Sequence, residues 1–290
     1  HQPMSFPNLP PRVEGEYLTD READEAVAFI RRNREKPFFL SLFHYAVHAP
    51  IQAKADLIEH YDAKPRPEHD GQIHAKYAAM VHSMDEATGR ILKTLDDLGL
   101  RENTLVLFTS DNGGATHFPA TDNRPLRSGK GRPYEGGLRV PFIVNWPGRI
   151  KAGAVIDTPV NSIDLLPTIC HALDVDRPSA HVIDGLDLMP LMIQGQPLSR
   201  ETMYWHYPHY WWGGRVTPYS VIRHGSTKLI RWYESGEFEL YDLANDPSET
   251  TNLATSNPDI VADLSARLDV WLQDTGALMP RQNPSYGKPD

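Results

Sequence analysis

A chain of 290 residues with 40% hydrophobic side chains holds enough apolar material for one large core or two unequal ones. A net charge of −9 argues against nucleic-acid binding, which calls for a basic face, and no apolar run approaches the ~20 residues that cross a bilayer as a helix. The single cysteine, Cys170, excludes an internal disulfide framework and, in SIDLLPTICHALDV, reads as a small buried core residue.

Residues 1 to 16 are rich in proline and polar groups and read as a loop. The pair Thr19 and Glu22 fits a capping box with Thr19 as N-cap, and Ala26, Phe29 and Ile30 form the apolar stripe of the helix that follows. Phe38 to Phe43 is a continuous apolar run of strand length. His44, His48 and Pro50 come directly after it. Residues 51 to 73 are irregular, with Pro65, Pro67 and Gly71. Ala75 to Leu98 is the clearest helix: Tyr77, Met80, Val81, Met84, Ile91, Leu92, Leu95 and Leu98 recur at spacings of three and four, and Gly99 caps the end. Asp85 and Glu86 on this helix read as a solvated face.

Thr104 to Thr109 is a second apolar strand, ending in Ser110-Asp111-Asn112-Gly113-Gly114. Oxygen-bearing side chains at the carboxyl end of a strand sit where open α/β sheets bind ligands. A carboxylate beside an amide carbonyl suits a hard cation such as Ca²⁺, with Mg²⁺ as the alternative. Residues 118 to 127 form a polar loop able to wall a substrate pocket, with Arg124 as a substrate-binding candidate. Lys130 follows between two glycines, where a lysine can meet an anion as a point charge. Val140 to Asn145 is a third strand, and Ser162 caps a helix that runs to about Leu173.

Strands alternate with helices to about residue 195, the pattern of an α/β sheet. Gly195-Gln196-Pro197 marks a boundary, giving domains 1–196 and 197–290. Beyond it, Met203–Tyr207, Tyr219–Arg223, Lys228–Trp232 and Phe238–Asp242 read as an antiparallel sheet with turns at Gly225 and Gly236. A final helix opens at Asn257 or Pro258 with Ile260, Leu264, Leu268 and Trp271 as its stripe, and the residues from Pro280 read as tail. Aromatics and histidines from Trp205 to Trp212 suit either stacking on a sugar ring or a hydrophobic plug; His206 and His209 are the candidates for substrate specificity.

FFLSLFHYAVHAP, SDNGG, SGKGRPYEGGLRVP and YDLANDPSETTNL, in this order, resemble the formylglycine-dependent sulfatases of the arylsulfatase type, from about Tyr17 to Thr275. The resemblance implies an alkaline-phosphatase-like α/β sandwich, with a central mixed sheet flanked by helices and a smaller C-terminal antiparallel sheet plus helix. It implies hydrolysis of sulfate esters, most readily of sulfated carbohydrate or an aryl sulfate, at a Ca²⁺ site. Asp111 and Asn112 then fall to the metal; His48 and Lys130 fall to catalysis, through sulfate binding and leaving-group stabilisation. Glu135 and Arg139 read as internal charge partners. Family habit favours a periplasmic or secreted location. The nucleophile of such enzymes arises from a C/S-x-P-x-R motif, and none occurs here. The chain therefore reads as the C-terminal portion of a sulfatase, inactive by itself, with formylglycine and two further metal carboxylates expected upstream. Two alternatives stay open: another phosphoryl or sulfuryl hydrolase of the same superfamily, and a non-catalytic fragment that binds anionic sugars or a partner subunit.

Overall fold

The computed structural model describes residues 10–11, 13–65, 74–117, 120–211 and 215–281. Pro67, Gly71, Phe118 and Trp212, together with most of the expected N-terminal loop and of the C-terminal tail, lie outside them. The chain forms two compact units, one of residues 1–106, 119–121 and 145–148, the other of residues 107–118, 122–144 and 149–290. The boundary expected at residue 196 falls inside the second unit.

The first unit is helical. Helices α1 (Leu18–Asn33) and α2 (Ala55–Asp62) both pack on α3 (Ala75–Asp97). The buried residues of α1 are Thr19, Ala23, Ala26 and Ile30, and those of α3 include Ala79, Ser83 and Ala87 at four-residue intervals. Small side chains at that spacing let two helix backbones approach closely. Of the bulkier stripe expected of α3, Met80 and Leu95 are buried beside these small residues, whereas Val81 is exposed. Gly99, at φ +67°, closes α3 while Leu100 N–H donates to Leu95 O at 2.8 Å.

Two expectations fail in this unit. The capping box does not form: α1 starts two residues earlier with Tyr17 as N-cap, Thr19 is buried, and Glu22 turns away to accept from His44 and the Tyr45 N–H. The run Phe38–Phe43 is not a strand, and Phe39 and Phe43 are 61% and 86% exposed. An apolar run becomes a strand only against a partner that satisfies its N–H and C=O groups. Among the described residues it has none.

The second unit carries all but the first residue of strand β1 (Val106–Thr109), the short helix α4 (Glu135–Leu138), all but the last residue of strand β2 (Phe142–Asn145), helices α5 (Leu165–Ala172) and α6 (Met189–Gln194), strands β3 (Thr202–Tyr207), β4 (Tyr219–His224), β5 (Thr227–Trp232) and β6 (Phe238–Asp242), and helix α7 (Pro258–Asp274). β1 pairs with β2; β3 to β6 form one antiparallel sheet in sequence order. Asn161, not Ser162, caps the turn before α5, in a reciprocal pair with Asp164. Asp164 is fully buried and takes both guanidinium N–H groups of Arg200 at 2.7 and 2.6 Å. Burial works against its ionisation, but Arg200 and the N–H groups of Leu186 and Asn161 outweigh that and hold the carboxyl below its ordinary range.

The four-stranded sheet is buried on both faces, which is why Tyr219 to Ile222 of β4 are buried without alternation. Ile222, Leu229 and Leu240 face α7 and meet Leu264, Leu268 and Leu272. Val221, Ile230 and Tyr241 face the other way, onto Tyr134. Trp271, expected in the stripe of α7, stacks on Tyr204 at 4.8 Å, while Ile260 is exposed. Leu268→Ala should lower the unfolding free energy by about 2–5 kcal/mol through the cavity it leaves; urea denaturation of the variant measures it.

Candidate active site

The site is built from two stretches that cross at their backbones. After β1, Ser110 Oγ donates to Asn112 O at 2.9 Å and shapes the turn that carries Asp111 and Asn112. Gly113 N–H then donates to Gly137 O at 3.0 Å, and Lys130 N–H donates to Gly114 O at 3.1 Å. The metal candidates and the lysine thus share one backbone knot. Asn123 closes it: Nδ2 lies 3.0, 2.9 and 3.0 Å from the carbonyls of Gly114, Ser128 and Gly136.

Glycine is obligatory in the knot because the backbones touch. A Cβ on Gly113 would lie 1.8 Å from Gly136 O, and one on Gly136 would lie 2.4 Å from the carbonyls of Arg127 and Ser128. Sequence reading missed Asn123, whose position in TDNRP carries no local signal.

What holds the Lys130 segment against the sheet is ionic and buried. Lys228 on β5 is fully buried, as is Glu249, and Glu135 is 4% exposed. Lys228 Nζ lies 3.0 Å from Glu135 Oε1 and 2.8 Å from Glu249 Oε1, the latter an ion-pair contact rather than an aligned hydrogen bond. Glu249 Oε2 accepts from the Glu135 N–H at 2.6 Å. Burial pushes the Glu249 carboxyl above its ordinary range against the pull of Lys228. Arg127 adds a second tie: its guanidinium lies 3.8 Å over the Tyr134 ring and donates to Tyr241 Oη and Glu249 O at 2.8 and 2.9 Å. Glu135 therefore pairs with Lys228, not with Arg139, whose side chain is exposed.

Asp111 is exposed. Asn112 Nδ2 donates to Gly113 O at 3.1 Å, which leaves Oδ1 as the accepting end. These are two hard oxygen donors, whereas Ca²⁺ takes six to eight. Among the described residues there is no group of three or more His, Cys, Asp or Glu able to hold a metal. The donor chemistry fits such a cation, and the ligand set here is partial.

Arg124 lies on the rim of a cleft of about 550 Å³ walled by Thr116, Asp122, Ser128, Ser248 and Thr250. Asp122 accepts from the Arg124 side chain and N–H, and this holds its carboxyl below the ordinary range. His206 is not placed to meet a ligand: its ring nitrogens lie 2.7 Å from Ser220 Oγ and 2.9 Å from Leu278 O. His209 is exposed, edge-on to Tyr207. In the first unit, His48 is exposed and its Nδ1 lies 2.8 Å from Ala49 O, so Nδ1 carries the proton and Nε2 is the outward nitrogen. His44 is committed to Glu22 at 2.8 Å. No helix among the described residues is long and apolar enough to cross a membrane.

Comparison with known proteins gives a consistent result. Residues 1–175 match the Sulfatase family, and residues 130–274 match the C-terminal region of N-sulphoglucosamine sulphohydrolase. A sulfatase of Formosa agariphila is 37% identical over 93% of this chain and 53% of its own length. The N-acetylgalactosamine-6-sulfatase of Homo sapiens is 30% identical over 91% of this chain and 53% of its own. The crystal structure of Ps i-CgsB in complex with a neocarrahexaose superposes with a TM-score of 0.78 at 29% identity, over 89% of this chain and 55% of that one. The chain spans about half the length of these relatives.

Removing one partner of the buried cluster leaves charges unpaired, so Lys228→Ala should cost about 3–5 kcal/mol. Lys228→Met, which fills the space, should cost less than Lys228→Ala in the same chemical denaturation; equal stability of wild type and Lys228→Ala would show that the cluster holds nothing.

Proposed function

Given that this chain belongs to the sulfatase family, we propose that the protein hydrolyses sulfate esters of carbohydrate, and that Asp111, Asn112, Lys130 and His48 serve that reaction. The observation that carries the reading is the backbone knot, which fixes the Asp111-Asn112 turn and Lys130 against one another through hydrogen bonds at 3.0 and 3.1 Å.

A sulfate ester is anionic, so an incoming nucleophilic oxygen approaches against charge, and further charge gathers on the oxygens and the leaving group in the transition state. Lys130, raised on a glycine-flanked loop, offsets that charge as a point cation. Asp111 and the Asn112 Oδ1 would hold a divalent cation, Ca²⁺ in this reading; such an ion polarises the sulfate and screens its charge. His48 keeps Nδ1–H on the Ala49 carbonyl in either protonation state. When protonated it offers Nε2–H to the leaving oxygen, the general-acid role. The nucleophile is not among these residues; in this family a formylglycine diol supplies it. Arg124 and His209 are proposed as contacts to the remainder of the substrate. The relatives named for N-acetylgalactosamine-6-sulfate and crystallised with a carrageenan oligosaccharide support carbohydrate as the substrate class.

In the complete protein, Lys130→Ala should lower kcat/KM for a sulfated sugar by about 10². Activity should also vanish with a Ca²⁺ chelator and return with added Ca²⁺. Activity of Lys130→Ala within a few-fold of wild type would reject the assignment.

A further inference from the structure

We infer that Glu22 is a positioning residue for His48: from helix α1 its carboxylate clamps the His44–Tyr45 segment, and Tyr45 in turn fixes both the backbone and the ring of His48. The catalytic role of His48 rests on the sulfatase reading; the clamp rests on geometry within the first unit.

His48 stands on a stretch, residues 44–50, that is neither helix nor strand. Such a loop holds a side chain in one place only where something rigid ties it. Glu22 supplies the tie. It lies near the start of α1, next to Ala23, which is fully buried. Both carboxylate oxygens are used: Oε2 lies 2.8 Å from His44 Nδ1, and Oε1 accepts from the Tyr45 N–H at 3.2 Å. The side chains of Glu22 and His44 are only 14% and 12% exposed, so water competes little for the contact. An ionised carboxylate only accepts, so His44 carries a proton on Nδ1. The neighbouring charges of α1 are answered by other partners, Arg21 by Glu16 and Glu25, and Asp20 by Lys54.

Tyr45 passes the constraint to His48 in three ways. Its carbonyl accepts from the His48 N–H at 2.9 Å. Its ring meets the imidazole edge-on, with centroids 5.5 Å apart and planes at 63°. Its Oη donates to Ala49 O at 2.9 Å, the same carbonyl that takes the His48 Nδ1–H at 2.8 Å. Backbone, ring plane and tautomer of His48 are thus each set by Tyr45 or by a group that Tyr45 holds. A displacement of about 1 Å in a proton donor costs up to about 10² in rate, so a residue that fixes the donor acts on the reaction without touching the substrate.

The test compares Glu22→Ala, Glu22→Leu and Glu22→Gln in the complete protein, on a sulfated sugar and on nitrophenyl sulfate. A sugar alkoxide needs a proton in order to leave, whereas nitrophenolate leaves without one. Glu22→Ala should therefore lower kcat for the sugar by about tenfold or more and for the nitrophenyl ester by less than about threefold, with little change in either KM. General damage to the fold would lower both alike. Glutamine keeps an oxygen for the Tyr45 N–H, and its amide donates to the other tautomer of His44, so Glu22→Gln should retain most of the activity. Glu22→Leu decides the matter should Glu22→Ala fail to fold. Added to His48→Ala, Glu22→Ala should cause no further loss. Independently of activity, the nitrogen NMR spectrum of the neutral His48 ring should show the Nδ1–H tautomer in wild type and a mixture of tautomers in Glu22→Ala. An unchanged ring spectrum in the Ala and Leu variants, equal losses on the two esters, or a further loss on top of His48→Ala overturns the positioning role. A wild type that hydrolyses neither ester would instead sink the sulfatase reading, and the ring spectrum alone then decides the clamp.

Discussion

The buried Lys228 ammonium is the constraint on which the second unit depends. It sits between two carboxylates, Glu135 from the loop that carries Lys130 and Glu249 from the segment after β6. Desolvating three charges is expensive unless each is answered at close range. Here the answers are specific: Glu249 also takes the Glu135 N–H, and Arg223 approaches Glu135 at 3.8 Å. An apolar contact would tolerate sliding of the loop over the sheet; this cluster does not, because each displaced charge would lose its partner without gaining water.

The rest of the site geometry follows from that anchor. With Glu135 fixed, Tyr134 is set against the sheet, with Arg127 over its ring. The glycines on either side then bring residues 113–114 and 129–137 into contact closer than any side chain permits. The turn bearing Asp111 and Asn112 inherits its place from these contacts. Side chains that face solvent are thereby held by a scaffold that is itself buried, the arrangement by which preorganised charge is maintained.

Sequence legibility divided along the same physical line. The strands of the C-terminal sheet were readable to within a residue, because short apolar runs between Gly225 and Gly236 turns declare themselves. The helix at 75–97 was readable as a helix and, through Met80 and Leu95, for part of its buried face, whereas the small residues Ala79, Ser83 and Ala87 that share that face give no apolar stripe. Phe38–Phe43 misled because composition reports a need for a partner and not its presence. Asp111, Asn112 and Lys130 stood out through their glycine-rich surroundings, whereas Asn123 acts only through long-range approach and left no periodic or spacing signal. Lys228 misled in another way: a lysine inside a strand gives no hint that it is buried.

The most direct test of this account is amide hydrogen exchange of the folded Lys228→Met variant against wild type. The amides of Gly113, Lys130 and Gly136 bond across the knot, and the account predicts that their exchange accelerates by about tenfold or more while β4 and β5 stay protected. Unchanged protection at those three amides in the folded variant would contradict it.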